Sequence, residues 1–218
     1  MAYNFSPKIV TDGLVLYLDA ANTRSYVSGS TTWNDISRGG NNGTLTNGPT
    51  FNTLNGGSIV FDGVNDYVIG NCPLINVNVG SCLSLWIKTS STNTQIIGSC
   101  DSGINNGFRF QIFNTTLHYT LGNVADYNTS INISDNTWKN IVASTLGSTA
   151  LIYINGVLTN TLNIGTMLGN TSNLKLGAFW NNQFPFLGNI SNVRLYNRAL
   201  TTTEVLQNYN STKSRFGL

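Results

Sequence analysis

Charge is the scarcest commodity in this sequence. Lys and Arg number 11 and Asp and Glu 9, so charged residues make up 9% of the 218, against about 25% in an average chain. The net charge is +2 and the basic residues are scattered. That leaves no stripe able to track a phosphate backbone, so no nucleic-acid partner is expected. Glutamate occurs once, as Glu204, and histidine once, as His118. Retaining glycoside hydrolysis needs two carboxylates about 5–5.5 Å apart. Here no two carboxylates stand two residues apart, and the nearest pair is Asp62 and Asp66. Ser-His-Asp chemistry would have to recruit His118, and no G-x-S-x-G elbow accompanies it. His118 itself, with no Cys or Asp beside it in sequence, reads as a surface or hydrogen-bonded strand histidine. Phosphate-loop and dinucleotide fingerprints are missing. The expectation is a chain that is not an enzyme.

Cysteine is nearly as rare. Cys72, Cys82 and Cys100 form neither an even set nor a close-spaced pair, which argues against a disulfide framework and a zinc site. They read as small buried hydrophobes. A bridge between two of them stays open, because sequence carries no distance. No apolar run approaches the ~20 residues of a membrane-spanning helix, so no membrane partner is expected. The opening MAYNFSPKIV lacks the charged and apolar regions of a secretory leader.

What the chain has in abundance is turn chemistry, with 33 Asn and 22 Gly. Residues 1–12 read as an N-terminal arm, broken by Pro7 and by Asp12-Gly13. Residues 13–212 read as one domain and 213–218 as a C-terminal tail. Within the domain, Gly13–Ala20 is the first strand, with Leu14, Leu16 and Leu18 on one side and Val15 and Tyr17 on the other. Ala21–Asn55 is a long polar segment that Trp33 and Ile36 pin to the core. Short strands follow at Ser58–Phe61, Tyr67–Ile69, Cys82–Lys88, Gln95–Ser99, Phe108–Phe113, Leu117–Leu121, Trp138–Ser144, Ala150–Ile154 and Leu174–Ala178, with one more through Val193. Asn155-Gly156 is the strongest hairpin signal, because a type I′ turn needs positive φ at both central residues. The pattern predicts an all-β, two-sheet antiparallel β-sandwich of jelly-roll type.

The stretch 187–209, LGNISNVRLYNRALTTTEVLQNY, closes the pattern. Gly188 opens it as a turn residue. Ser191, Val193 and Leu195 then alternate with Asn192, Arg194 and Tyr196. Thr201 and Glu204 form a capping box, which predicts a short C-terminal helix with Val205, Leu206 and Tyr209 as its apolar stripe. This ending resembles that of LamG-like domains in the concanavalin A-like lectin/glucanase superfamily. Gly13–Asp19, Ile59–Val68, Leu83–Lys88, Trp138–Ala143 and Leu151–Val157 stand in that family's order. The resemblance implies a concanavalin A-like jelly roll, a fold that hosts lectins, enzymes and structural modules alike.

Two candidate sites follow. The resemblance implies Ca2+ at the sandwich rim, and a hard cation wants several oxygen ligands. Asp62, Asn65 and Asp66 in FDGVND are the candidates, the alternative being that the aspartates bond their own turn. The family's acidic pair on the closing strand is here Ser191 and Asn192, which removes two charges from such a site. The loop GAFWNNQFPFLGN sets aromatics beside amides. Trp180, Asn181, Asn182, Gln183 and Phe184 read either as a glycan platform or as a subunit contact. Tyr119, Tyr127 and Asn128 form a second such group, for which sheet packing is the competing reading.

Gly13–Asn22, Asn42–Phe51, Gly56–Val68 and Arg215–Leu218 are similar to stand-alone LamG-like virion proteins of tailed bacteriophages, including cyanophages. That resemblance implies a surface-exposed virion protein, a capsid decoration, head-fibre or tail component. It would be made in the host cytoplasm and anchored through one or both chain ends, with other virion proteins as partners. Host-surface glycans and a homo-oligomer are further partners it allows. The alternative is a carbohydrate-binding adhesion module not tied to a virion.

Overall fold

The computed structural model describes residues 7–73, 75–99, 107–122, 124–166, 173–179 and 181–218. Among them the chain forms β1 (Leu14–Asp19), β2 (Thr32–Trp33), β3 (Gly43–Thr46), β4 (Thr50–Asn52), β5 (Ser58–Asp62) and β6 (Tyr67–Asn71). Then come β7 (Ser81–Thr89), β8 (Asn93–Ser99), β9 (Phe108–Phe113), β10 (Thr116–Leu121) and β11 (Ala125–Asn132). The rest are β12 (Trp138–Leu146), β13 (Thr149–Ile154), β14 (Val157–Asn163), β15 (Asn173–Leu176) and β16 (Leu187–Tyr196), followed by α1 (Thr202–Asn210). The strands make two eight-stranded antiparallel sheets. The first runs β14-β13-β12-β7-β16-β5-β4, with β1 also on β16, and the second runs β11-β10-β9-β8-β15-β6-β3-β2.

Period-two alternation builds the sandwich. In β9, Phe108, Phe110 and Ile112 enter the main core while Arg109 and Gln111 face outward. In β7, Leu83, Leu85 and Ile87 enter the same core, and Cys82 joins a second apolar cluster behind the sheet with Tyr153, Tyr196 and Val205. Cys72 is buried as well, and Cys100 lies outside the described residues. The Asn155-Gly156 turn has φ of 52° and 77°, as a type I′ hairpin requires. A Cβ on Gly156 would stand 2.9 Å from the Tyr209 ring of α1.

The polar segment 21–55 is more structured than its composition implied. It supplies β2 and β3 to one edge of the second sheet and β4 to the matching edge of the first, and Trp33 is fully buried. Ile36 is half-buried. Strand β11, ADYNTSIN, carries almost no apolar signal and escaped the sequence pattern. It is the opposite edge of the second sheet. Asn160 Nδ2 of β14 donates to its Thr129 carbonyl (3.0 Å), and Gly165 N donates to Tyr127 Oη (2.7 Å).

Three local expectations change. A register shift between Leu14 and Leu16 turns Leu14 into the second cluster, away from Leu16 and Leu18. Gly188 lies inside β16, not in a turn. Its φ is 148° and a Cβ would meet the Lys88 carbonyl at 2.3 Å. The Thr201–Glu204 capping box is present, but Leu206 is 45% exposed, and the buried side of α1 is formed by Val205 and Asn208.

The chain ends cover the outer face of the first sheet. Trp86 stacks on Phe216 (4.0 Å between ring centres) and on Tyr209 (5.7 Å), and its Nε1 donates to Thr212 Oγ1 (3.0 Å). Arg215 grips both carboxylate oxygens of Asp19 at 3.1 and 2.9 Å. Residues 213–218, expected as a tail, thus lie against the sheet. So does the inner part of the expected arm: Val10 N donates to Asn208 Oδ1 (2.8 Å), and Tyr196 Oη donates to the Val10 carbonyl (3.0 Å). A buried aromatic of this size removes about 150–250 Å2 from water, roughly 4–6 kcal/mol at ~25 cal/mol/Å2.

Candidate binding cavity on the open sheet face

The outer face of the second sheet is different. Residues 177–179 and 181–186, between β15 and β16, fold over β8 and β9 and stop short, leaving a cavity of about 230 Å3. Its walls include Gln95, Arg109, Gln111, Phe113, Asp126 and Phe184. This is below the ~300–1,000 Å3 of a drug-sized site and suits a single ring.

The loop is held at many points. Gln95 N donates to the Phe184 carbonyl (3.0 Å), and the Thr94 hydroxyl donates toward the carbonyls of Phe184 (3.1 Å) and Pro185 (2.8 Å). Phe186 N returns to the Gly177 carbonyl (2.8 Å). Lys175, buried on β15 with its ammonium 4.3 Å from the centre of the Tyr67 ring, donates to Asn182 Oδ1 (2.6 Å) and the Phe179 carbonyl (3.3 Å). These ties hold Phe184 at φ 54°, a left-handed conformation that costs a bulky residue ~1–3 kcal/mol and persists only where its surroundings over-determine it. The result is a phenyl ring 55% exposed on a cavity that Phe113, 56% exposed, also lines.

Polar groups line the floor. Gln95 is 2% exposed; its Nε2 donates to the Ala178 carbonyl (3.1 Å), and its Oε1 is buried with no donor among the described residues. Arg109 Nε donates to Gln111 Oε1 (3.2 Å), and its Nη2 lies 3.5 Å from Asp126 Oδ1. Asp126 also accepts from Thr120 Oγ1 (2.5 Å). The guanidinium sits 5.1 Å from the centre of the Phe179 ring. Among the described residues that line the cavity, one cation, Arg109, and one anion, Asp126, offset each other.

Of the sequence candidates, Phe184 lines this cavity. Asn182 turns to Lys175 instead, and Asn181 Oδ1 accepts from Gln183 N (3.2 Å). Trp180 lies outside the described residues. Gln95, Arg109 and Gln111 read in sequence as ordinary outward positions of strands, and Asp126 falls in β11, which the sequence pattern misses. In the weaker group, Tyr119 is core, Tyr127 packs against the core, and Asn128 Oδ1 accepts from Ser130 N (2.7 Å). His118 has more company than its sequence neighbours suggested, since Asp126 lies close enough to act on it electrostatically.

The candidate Ca2+ residues share one turn between β5 and β6. Asp62 Oδ1 accepts from Val64 N (2.8 Å), and Asp66 Oδ2 accepts from Asp62 N (3.0 Å). Burial pushes the Asp66 carboxyl up from the usual range, and the Asn65 carbonyl accepts from Asn47 Nδ2 (2.9 Å). Ser191 Oγ donates to the Gly57 carbonyl, and Asn192 is fully buried. Among the described residues no three His, Cys, Asp or Glu side chains cluster. Two carboxylates turned to their own backbone do not make the six to eight oxygens that calcium takes, so these residues do not fit the ion.

Glu204 has no chemistry to spare either. Arg198 grips both its oxygens at 2.6 and 3.0 Å, and that pairing, with the cap hydrogen bonds and against some desolvation, holds its carboxyl at about 2.

The family model described as the concanavalin A-like lectin/glucanases superfamily matches residues 62–206, well over half of the chain. The chain belongs to that superfamily. Solved structures with the superfamily member's sandwich include the binding domain of Paraclostridial Mosquitocidal Protein 1 (TM-score 0.74, 19% identity, covering 91% of this chain and 52% of that one). The botulinum neurotoxin serotype D binding domain aligns with a TM-score of 0.73 and 18% identity, over 92% and 52% of the two chains. The binding domain of botulinum neurotoxin DC in complex with rat synaptotagmin II aligns at 0.72 and 19%, over 93% and 52%. This superfamily member spans about half the length of the structures it matches, and at these identities they share its fold. No curated protein matches the sequence.

Proposed function

We propose that this chain is a non-catalytic binding module that takes one uncharged sugar ring of a glycan in the cavity beneath Phe184. The observation that carries the reading is the Phe184 ring, 55% exposed at a cavity whose walls include the polar side chains of Arg109, Gln111 and Asp126. The apolar face of a sugar packs on Phe184, and its remaining hydroxyls meet Gln111 and Asp126. The offset charges of Arg109 and Asp126 favour neutral sugars over sialylated or sulfated ones.

A glycan array run with and without EDTA tests this. Binding of neutral glycans that survives EDTA and weakens at least about tenfold in Phe184→Ala is expected. An array with no neutral ligand overturns it.

The setting we propose is the surface of a tailed-phage particle, with other virion proteins and host-surface glycans as partners. What supports it is the resemblance along Gly13–Asn22, Asn42–Phe51 and Gly56–Val68. Both described chain ends pack on their own domain, so attachment would use residues 1–6 or the domain surface. Mass spectrometry of purified particles should find the protein, and its absence from them would end this assignment.

A further inference from the structure

His118 lies beside two walls of the cavity, and we propose that it is an acid-release switch for the ligand held there. The purpose of the switch rests on the binding reading above; its physical test does not.

His118 points outward from β10, between Gln111 of β9 and Asn128 of β11, yet it is buried. Its ring stands 6.0 Å from that of Phe113, at 76°. The Thr116 hydroxyl donates to the Phe113 carbonyl (2.8 Å). It can therefore only accept from His118 Nε2, 3.2 Å away, which places the imidazole hydrogen on Nε2. Nδ1 is left as a buried acceptor that no group among the described residues satisfies. A proton arriving in acid must go to Nδ1. It would create a buried cation and a buried N–H without an acceptor, both costly.

Among the described residues the charged groups on this sheet face are Asp126 from β11, Arg109 from β9 and, farther off on β15, Lys175, whose ammonium is bonded to Asn182 and Phe179. Tyr119 and Tyr127 pack toward the core. Asp126 attracts an imidazolium and Arg109 repels one. Burial outweighs the help from Asp126 and holds His118 below the ordinary histidine value, so the ring is neutral at pH 7. Below its midpoint the proton's cost is relieved in one of two ways. The ring swings outward past Phe113, or it draws Asp126 away from Arg109. Phe113, Asp126 and Arg109 all line the cavity, so either route dismantles a wall. Because the folded value lies below the unfolded one, the neutral state is favoured above about pH 6.5 and its advantage is lost as pH falls toward the folded midpoint.

The test needs no ligand. Side-chain NMR from pH 7.5 to 4.5 should show the Phe113 ring and Arg109 Nε resonances moving with the His118 imidazole, in one step absent from His118→Gln. Asp126→Asn should shift that step to lower pH, which keeps the idea testable if His118→Gln folds poorly. A His118 titration that moves neither Phe113 nor Arg109 overturns the switch. With a neutral glycan, affinity should fall about tenfold from pH 7.5 to 5 and stay flat in His118→Gln. Missing binding at pH 7.5 with the coupled step intact would sink the sugar reading and leave the switch. Binding that is flat with pH would do the reverse.

Discussion

The two sheets present the same alternation to the outside, and the chain treats their outer faces in opposite ways. On the first sheet, α1 and the turn through Phe216 seal Trp86 completely and tie both ends of the chain to it. On the second, among the described residues, the segment between β15 and β16 reaches across and stops at the cavity mouth, where Phe113 and Phe184 are exposed. A sheet covered on both sides gains apolar burial and offers nothing to a partner. A sheet covered on one side keeps side chains such as Phe113 and Phe184 exposed. On the proposed reading stability and recognition fall to different layers, and mutations should separate them.

The largest effect belongs to the sealed face. Trp86→Ala should cost about 3–5 kcal/mol in urea unfolding, as for other large buried aromatics, with glycan affinity of the folded fraction unchanged. Next comes the cap of the covering helix. Thr201→Ala should cost about 1 kcal/mol. Glu204 at the same cap has a folded value near 2, below the ~4.3 of an unfolded glutamate. Its contribution is complete above pH 5 and lost as pH falls toward 2, so the thermal midpoints of wild type and Thr201→Ala should converge in acid. Smallest on stability is Phe184→Ala, expected within about 0.5 kcal/mol, although it strips the cavity of its platform. A Phe184→Ala loss as large as that of Trp86→Ala would break the division between the layers.

Much of the fold is legible in the residues. The capping box, the Asn155-Gly156 hairpin and most strand centres can be read directly, because each has a local cause. What cannot be read has a non-local one. Strand β11 is polar because it is an edge, and its pairing with β10 comes from the neighbouring strand rather than from its own side chains. The turn of Leu14 away from the main core depends on a bulge against β16. At the site, the loop stands out in sequence through its aromatics and amides, and of the five candidates Phe184 lines the cavity. The left-handed backbone that aims it is imposed by Gln95 and Thr94, about ninety residues earlier. The polar floor of the cavity is invisible in sequence, since outward Arg and Gln on a strand ordinarily face only water.

The order of the strands has a consequence for how the protein is made. β16 is the central partner of the first sheet, paired with β7 on one side and with β1 and β5 on the other. It is also the last of the sixteen to be synthesised. Until it emerges from the ribosome, β1, β5 and β7 hold open edges with nothing to bridge them, so the first sheet assembles after most of the chain is translated. The pairing of Leu14 with Tyr196 closes a loop of nearly the whole domain, a topology that folds slowly and exposes strand edges on the way. High expression should therefore strain this protein through aggregation of incomplete chains, and a trailing partner or chaperone that shields β7 would raise its yield more than any substitution in the finished core.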